Sequence, residues 1–294
     1  MRHPTRRGTI FLEDARVISQ EAFPADQYVL RVEAPKCAAR ARPGTFAHLT
    51  CDPTIPMRRP LSIMRAKPDE GWLEFLYKIV GVGMAALARR QPGDELSLLG
   101  PIGQPFQLDA ARPSVLAIGG GVGIPPMVFL AETLRSDPAF EPLVLMGSEI
   151  PYPFQLQRGN PAIPGTGSAV DASLALLDEW GITSRLASNA GFDGCFPGLV
   201  TELAAAWLDA QPSGDLERCQ IVSCGPTAML KATARLAARY GLPCQVALEE
   251  YMACGVGGCA GCTVLVRTAA GTAMKRVCVD GPVFDAYQVF TETA

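Results

Sequence analysis

Val115-Leu116-Ala117-Ile118-Gly119-Gly120-Gly121-Val122-Gly123-Ile124-Pro125-Pro126 is the stretch that decides the fold. Four consecutive apolar residues make a good strand where a sheet is covered on both faces, the situation of a parallel sheet. The glycine run ends the strand, and the two prolines sit where a helix would start, the one helical position that tolerates a missing N–H. Met127, Leu130, Ala131 and Leu134 then recur at i, i+3, i+4 and i+7, the stripe of an amphipathic helix.

Downstream the alternation continues. Leu143-Val144-Leu145-Met146 reads as a second strand, 172–179 and 199–208 as helices, and Ile221-Val222-Ser223-Cys224 as another buried strand. Gly225-Pro226 opens a helix that ends at Tyr240, before Gly241. Strands alternating with helices imply a parallel sheet. The stretch 151–167, rich in Pro and Gly, fits no element and reads as a long loop. Upstream the rhythm is different. Arg16-Val17-Ile18, Tyr28-Val29-Leu30-Arg31-Val32, Phe46-Ala47-His48-Leu49 and the run 72–79 are short strands, separated by Pro43-Gly44, Pro68-Asp69-Glu70-Gly71 and Pro92-Gly93-Asp94. Short strands punctuated by turn residues suggest a closed antiparallel barrel, with one short helix at about 84–90. The expected fold class is multidomain β plus α/β, with a β-barrel over 1–108, a parallel-sheet α/β domain over 109–242 and a small cysteine-rich domain over 243–294.

The bulk composition narrows the function. With 48% hydrophobic residues in 294, the chain is globular and large enough for two or three modest domains. A net charge of −3 gives no basic footprint, which argues against nucleic acid as the main partner. No apolar run reaches the roughly 20 residues of a membrane span, and the basic start lacks the apolar stretch of a signal peptide. The expected location is therefore the cytoplasm. There the ten cysteines are better read as metal-binding, redox-active or simply buried than as a disulfide framework.

Four of them carry a pattern. Cys254, Cys259 and Cys262 form C-x4-C-x2-C, and Cys278 follows after fifteen residues. This is the spacing of plant-type [2Fe–2S] ligation. Gly255, Gly257, Gly258 and Gly261 allow the dihedrals and N–H directions that a loop around such a cluster needs. Structural zinc competes, but it usually shows two C-x2-C pairs where this chain has one.

Two further groups of residues fit nucleotide cofactors. On a strand, Arg59 and Leu61 face one side and Ser62 the other, so an Arg could hold a pyrophosphate while a hydroxyl reaches a flavin ring. A surface Arg and a turn Ser are the competing reading. Leu76-Tyr77-Lys78 and Gly81-Val82-Gly83 strengthen the flavin reading by leading into the short helix, a setting that suits phosphate. Gly119, Gly120, Gly121 and Gly123 lie where a dinucleotide's pyrophosphate could approach, with an ordinary tight turn as the alternative; the run is not a strict G-x-G-x-x-G. Cys224, Gly225 and Pro226 close another strand at the same end of the sheet.

In this order, the residues resemble the ferredoxin–NADP reductase superfamily, and within it the electron-transfer subunits of dihydroorotate dehydrogenase B. The resemblance rests on Pro43-Gly44, Arg59-Pro60-Leu61-Ser62, Leu99-Gly100-Pro101-Ile102-Gly103, the glycines at 119–123, Ser223-Cys224-Gly225-Pro226, Glu249-Glu250 and Asp280-Gly281-Pro282-Val283-Phe284. It implies an FAD barrel, an NAD domain and a [2Fe–2S] domain. FAD contacts would fall at Arg59, Pro60, Leu61, Ser62, Leu76, Tyr77, Lys78, Gly83 and Met84, where the family usually has Thr in place of Met84. Met84 then supplies no hydroxyl to the flavin phosphate. The nicotinamide would stack near the flavin close to Cys224, with Ser62 near the flavin's reactive nitrogen and Cys224 a positioning residue. The implied partner is an FMN-containing catalytic subunit in a heterotetramer of pyrimidine biosynthesis, with electrons running from FMN through cluster and FAD to NAD. Two other readings stand beside it: a reductase subunit of the same build for a hydrogenase, transhydrogenase or oxygenase, and a redox-sensing module. Arg158, in the loop, could meet a 2′-phosphate or simply be solvated.

Overall fold

The computed structural model describes residues 8–159 and 162–290. Six strands close an antiparallel barrel in the order β1 (Phe11–Phe23), β2 (Gln27–Glu33), β5 (Trp72–Lys78), β4 (Arg59–Lys67), β3 (Phe46–Leu49) and β6 (Glu95–Ile102). Strand alternation fills its interior: Leu30, Val32, Ala47, Leu49, Leu61, Ile63, Leu73, Phe75, Leu96 and Leu98 form one buried cluster. Strand β1 is far longer than Arg16-Val17-Ile18 suggests. It pairs with β6 along Phe11–Arg16 and with β2 along Arg16–Phe23, bending at a bulge between Val17 and Ser19. Its outer face mixes polar residues with the exposed Leu12 and Ile18, so no regular apolar alternation announced it. Helix α1 (Pro35–Ala38) packs beside β1, and α2 (Val82–Leu87), slightly earlier than 84–90, sends Met84, Ala86 and Leu87 into the barrel core.

The second sheet has six strands, in the order β11 (Thr183–Ala187), β8 (Glu141–Gly147), β7 (Ser114–Gly120), β12 (Cys219–Cys224), β13 (Cys244–Ala247) and β16 (Val283–Asp285). All pairs are parallel except β13 with β16. Its apolar strands serve two cores at once. Val115 and Ala117 join one cluster with α3 (Ile124–Leu134), while Leu116 and Ile118 join another with α5 (Val200–Asp209) and α7 (Thr227–Tyr240). Shorter helices α4 (Ala175–Glu179), α6 (Ser213–Leu216) and α8 (Ala286–Val289) complete this part.

Three features differ from the sequence expectation. The stretch 151–167 is not featureless: β9 (Leu156–Arg158) pairs antiparallel with β10 (Ala172–Leu174), so 172–179 begins as strand and turns helical only at Ala175. The cysteine-rich tail contains a hairpin, β14 (Thr263–Thr268) and β15 (Gly271–Arg276). The tail's two ends, β13 and β16, are strands of the six-stranded sheet, so the 242/243 division passes through that sheet.

Helix α3 packs on barrel strand β4 and locks the two sheets together. The buried Glu132 carboxylate pairs with Arg65 at 2.8 Å and Lys67 at 3.0 Å. Arg65 also lies over the rings of Trp72 and Trp180, 5.5 and 5.3 Å from their centroids. Phe129 of the same helix enters the barrel's apolar cluster. Among the described residues, no helix is long and apolar enough to cross a membrane.

Candidate functional site

The barrel parts where Arg59 to Ser62 lie. The ladder between β4 and β5 runs from Lys67↔Trp72 to Ile63↔Phe75 and stops. Beyond it, Arg59 to Ser62 pair only with β3, and Leu76 to Lys78 only with β2. Two strands thus diverge and present backbone groups to whatever lies between them, a cradle of the kind a flat ring and its chain require. Leu61 is buried in the barrel core while Ser62 lies on the outer face and is half-buried, as alternation demands. Tyr77 is buried, donates to Gln20 Oε1 at 2.8 Å and stacks on Tyr28 at 5.4 Å. Its side chain is therefore structural, and the backbone is what it offers the cradle.

At the cradle's end the Arg59 guanidinium folds over the first turn of α2. A Cβ on Gly83 would stand 2.8 Å from Arg59 Nε, so glycine leaves the space that the guanidinium occupies. A cation beside the unpaired N–H groups of a helix start suits a pyrophosphate. Met84 points its side chain into the barrel core, so only its N–H faces this turn. The residues fit an FAD.

The glycine turn and the Cys224-Gly225-Pro226 loop meet at the carboxyl ends of β7 and β12, which pair through Cys224↔Gly119. They touch closely. A Cβ on Gly123 would lie 2.3 Å from the Cys224 carbonyl oxygen, and one on Gly120 would lie 2.4 Å from Met229 Sδ. Gly121, with φ of +54°, has nothing within 4 Å and forms the open lip. The Cys224 thiol is buried in the cluster that also holds Met64 and Leu76 of the barrel. Burial, helped by Glu249, pushes its pKa well up, so the thiol stays protonated and is no nucleophile. In parallel sheets ligands bind beyond the carboxyl ends of the strands, and this end of the sheet meets the barrel at Leu76, which shares the Cys224 cluster. Arg158 is paired with both Asp171 and Asp193.

The four cysteines Cys254, Cys259, Cys262 and Cys278 fall as two pairs. Cys262 Sγ and Cys278 Sγ are 3.4 Å apart, drawn together by the Val277 N–H donating to the Cys262 carbonyl at 2.9 Å. Cys259 lies against Cys254 and donates its N–H to Cys254 Sγ at 3.5 Å. Burial works against ionisation of Cys254, but the N–H groups of Cys259, Val256 and Gly258 and the Cys259 thiol outweigh it and bring the pKa down to about 7. Cys278 is pushed up to about 12, first by burial and then by Cys262 beside it. Two thiols so close ionise together only with a cation between them. Two pairs match a two-iron cluster, in which each iron takes two protein ligands. No three His, Cys, Asp or Glu side chains among the described residues gather around one point as a single metal ion would need.

The cysteine loop is seated on the barrel. Phe46 and Ile102 share an apolar cluster with Cys262, Val277, Cys278 and Phe284. Gln104 takes the Gly281 carbonyl at 2.6 Å through its N–H and the Val279 carbonyl at 3.1 Å through its amide. Gln104, directly after Leu99-to-Gly103, thus ties that segment to the one that carries Asp280-to-Phe284. Asp280 also accepts from the Arg276 N–H at 2.9 Å, and Arg276 reaches the Gly257 carbonyl at 3.1 Å, which braces the loop.

Sequence reasoning missed Glu132 and His48. A lone Glu in an apolar helix, and a His two residues after Phe46 on a strand, were the available signals. Neither indicates its partner, because the partners are distant in the chain.

A parted flavin-type barrel, a parallel sheet with a glycine-edged crevice and a cysteine loop together define an iron–sulfur flavoprotein of the ferredoxin-reductase fold. Solved structures agree on that fold. An NADH-dependent reduced ferredoxin-NADP oxidoreductase superimposes with a TM-score of 0.72 at 24% identity, over 96% of this chain and 91% of that one. A ferredoxin NADP+ reductase from Neisseria gonorrhoeae, solved with FAD and NADP, gives 0.56 at 16% identity over 78% of this chain and 92% of that one. The model of the iron–sulfur cluster binding domain of dihydroorotate dehydrogenase B matches residues 249–290. Electron transfer subunits of dihydroorotate dehydrogenase B (NAD(+)) from Desulforamulus reducens and Geobacillus thermodenitrificans are 31% and 33% identical, each covering at least 94% of this chain and 98% of the relative. The chain belongs to the family of dihydroorotate dehydrogenase B electron transfer subunits.

Proposed function

We propose that this chain is the electron-transfer subunit of an NAD-linked dihydroorotate dehydrogenase, working in the cytoplasm in pyrimidine biosynthesis with an FMN-containing catalytic subunit in a heterotetramer. The observation that carries the reading is the seating of the cysteine loop on the same barrel face that bears Ser62: strand pairing sets Phe46 opposite Ser62, and Phe46 packs with Cys262 and Cys278. When bound, FAD exchanges two electrons at once with a nicotinamide and single electrons with a [2Fe–2S] cluster.

The chain's own residues have distinct tasks. Arg59 and the first N–H groups of α2, at Gly83 and Met84, hold the flavin pyrophosphate, while the parted edges at Pro60, Leu61, Leu76, Tyr77 and Lys78 grip the ring and its chain. Ser62 offers a hydroxyl to the flavin ring. Gly119, Gly120, Gly121 and Gly123, with Gly225 and Pro226, shape the nucleotide crevice, and the buried Cys224 sets how closely the nicotinamide approaches. Cys254, Cys259, Cys262 and Cys278 hold the cluster. NAD rather than NADP is favoured because Arg158 is already neutralised by two carboxylates and is not free to take a 2′-phosphate.

An anaerobic visible spectrum of the purified chain, before and after NADH, tests the relay. Flavin and cluster absorbance, both bleached by NADH, is the expected result, and a colourless zinc protein would overturn it. Co-purification with an FMN protein that oxidises dihydroorotate separates this reading from a reductase serving another acceptor.

A further inference from the structure

His48 sits in the middle of β3, completely buried. Alternation turns Ala47 and Leu49 into the barrel core and sends Phe46 and His48 to the outer side, where Phe46 meets the cysteine cluster. Burial, and then the Arg58 charge, lower the ring's pKa to about 4, so it is neutral, with one N–H to donate and one nitrogen to accept. Neither Nδ1 nor Nε2 has a hydrogen-bond partner among the described residues. Buried polar atoms left unpaired on both sides of one ring are rare in a folded core and point to a missing ligand.

The ring is aimed at the cysteine loop. A Cβ on Gly255 would lie 3.0 Å from both Nδ1 and Cε1, so only a residue without a side chain lets the loop approach this edge. Gly255 directly follows Cys254. Within the sheet, the β3–β4 ladder pairs His48 with Pro60 of the flavin cradle. The imidazole therefore adjoins the strand that carries the cradle and turns its Nδ1 edge toward the cysteine loop.

We propose that His48 donates a hydrogen bond from Nδ1 to the sulfur ligands of the [2Fe–2S] cluster at its Cys254 end and so favours the reduced cluster. The inference rests on the cluster reading of the four cysteines. Reduction adds one electron, supplied by NADH or by the partner subunit, and with it one negative charge on the iron–sulfur unit. A fixed N–H directed at those sulfurs interacts more strongly with the more negative state. No proton is transferred, and the ring keeps its N–H in both states.

The chain's two histidines, His3 and His48, make the test clean. In full-length His3→Gln protein labelled with 15N-histidine, His48 carries the sole label. Pulsed EPR of the reduced protein should show a 15N coupling on the cluster signal. His48→Leu should remove that coupling and lower the equilibrium constant for cluster reduction about tenfold, which is about 59 mV for a one-electron couple. His48→Gln, which keeps a donor, should recover part of the shift. A cluster signal without 15N coupling overturns the inference even if the variants fail to fold. So does a coupling found only on the flavin signal, or an unchanged potential in His48→Leu. A chain that gives no cluster signal overturns the cluster reading itself, and this inference with it.

Discussion

Gly123 closes the turn between β7 and α3 with φ of −85°, a conformation open to any residue, so alanine there tests space alone. The space is absent. The added Cβ would lie 2.3 Å from the Cys224 carbonyl oxygen, 2.4 Å from its carbonyl carbon and 2.5 Å from the Gly225 nitrogen. Relaxed contacts between carbon atoms begin near 3.5 Å, so the turn and the Cys224-Gly225-Pro226 loop must separate by about 1 Å. All three atoms are backbone, and the β7–β12 ladder holds them through Cys224↔Gly119, so no flexible side chain can absorb the overlap. A misplacement of about 1 Å in a binding site costs on the order of 100-fold, or about 2.7 kcal/mol, within the usual 1–3 kcal/mol of overpacking. In Gly123→Ala, kcat/KM for NADH-driven dye reduction should fall about 100-fold while FAD and iron content stay at wild-type levels. Gly214→Ala, in α6, is the control. Nothing lies within 4 Å of its added Cβ and its φ is not positive, so NADH kinetics should change by less than about fivefold. Wild-type NADH kinetics in Gly123→Ala, or an equal loss in both variants, would refute the assignment of this contact to the nucleotide crevice.

Arg59→Ala should weaken FAD binding by about 10- to 100-fold, the worth of a charge-assisted contact, as read by flavin retained on gel filtration; undiminished flavin would remove Arg59 from the phosphate site. Cys278→Ser should abolish the cluster's iron and its absorbance, whereas Cys244→Ala, in a buried strand of the nucleotide sheet, should keep both by iron assay. Glu132→Gln leaves the half-buried Arg65 and Lys67 facing a neutral amide, with Glu74 still beside Arg65, so stability should fall by about 2 kcal/mol in a melting experiment; an unchanged Tm would mean the α3–β4 lock carries little. With its pKa lowered from 6.5 to about 4, His48 binds fewer protons folded than unfolded in that window. Its contribution to stability is complete above about pH 6.5 and is lost as pH falls toward 4, and His48→Gln should flatten the acid side of a denaturant-midpoint titration.

What the sequence revealed and what it hid divide along a physical line. The glycine turn, the apolar strands of the parallel sheet and the four cysteines are local signals, because a tight turn, a doubly covered strand and a ligand loop each state their needs within a short stretch, at most the 25 residues from Cys254 to Cys278. Strand β1 was half visible: its exposed face mixes polar residues with Leu12 and Ile18, and only pairing with both β2 and β6 holds all thirteen of its residues extended. Strand β9 is three exposed residues with no apolar pattern, and its pairing with β10 supplies what its composition does not. The parting of β4 from β5 could not be read from either strand, since both are ordinary strands and the cradle exists only because each keeps a different neighbour beyond Ile63↔Phe75. Glu132 and His48 were hidden for the same reason. A carboxylate on an apolar helix and an imidazole on a barrel strand become intelligible only beside Arg65 and Gly255, which lie 67 and 207 positions away in the chain.

The three sites also share one frame, and this follows from where the cysteine loop is inserted. It leaves the nucleotide sheet at β13 and returns to it at β16, so both of its ends are fixed by strand pairing. Between those ends it rests on barrel residues Phe46 and Ile102 and is tied to Gln104. The barrel is in turn fixed to the sheet by Glu132 of α3, the helix that begins at the glycine turn, against β4, the strand that carries Arg59 to Ser62. Each pair of sites is therefore joined by a short, packed connection rather than by a linker. Electron transfer depends on fixed distances, and a frame closed in this way fixes them.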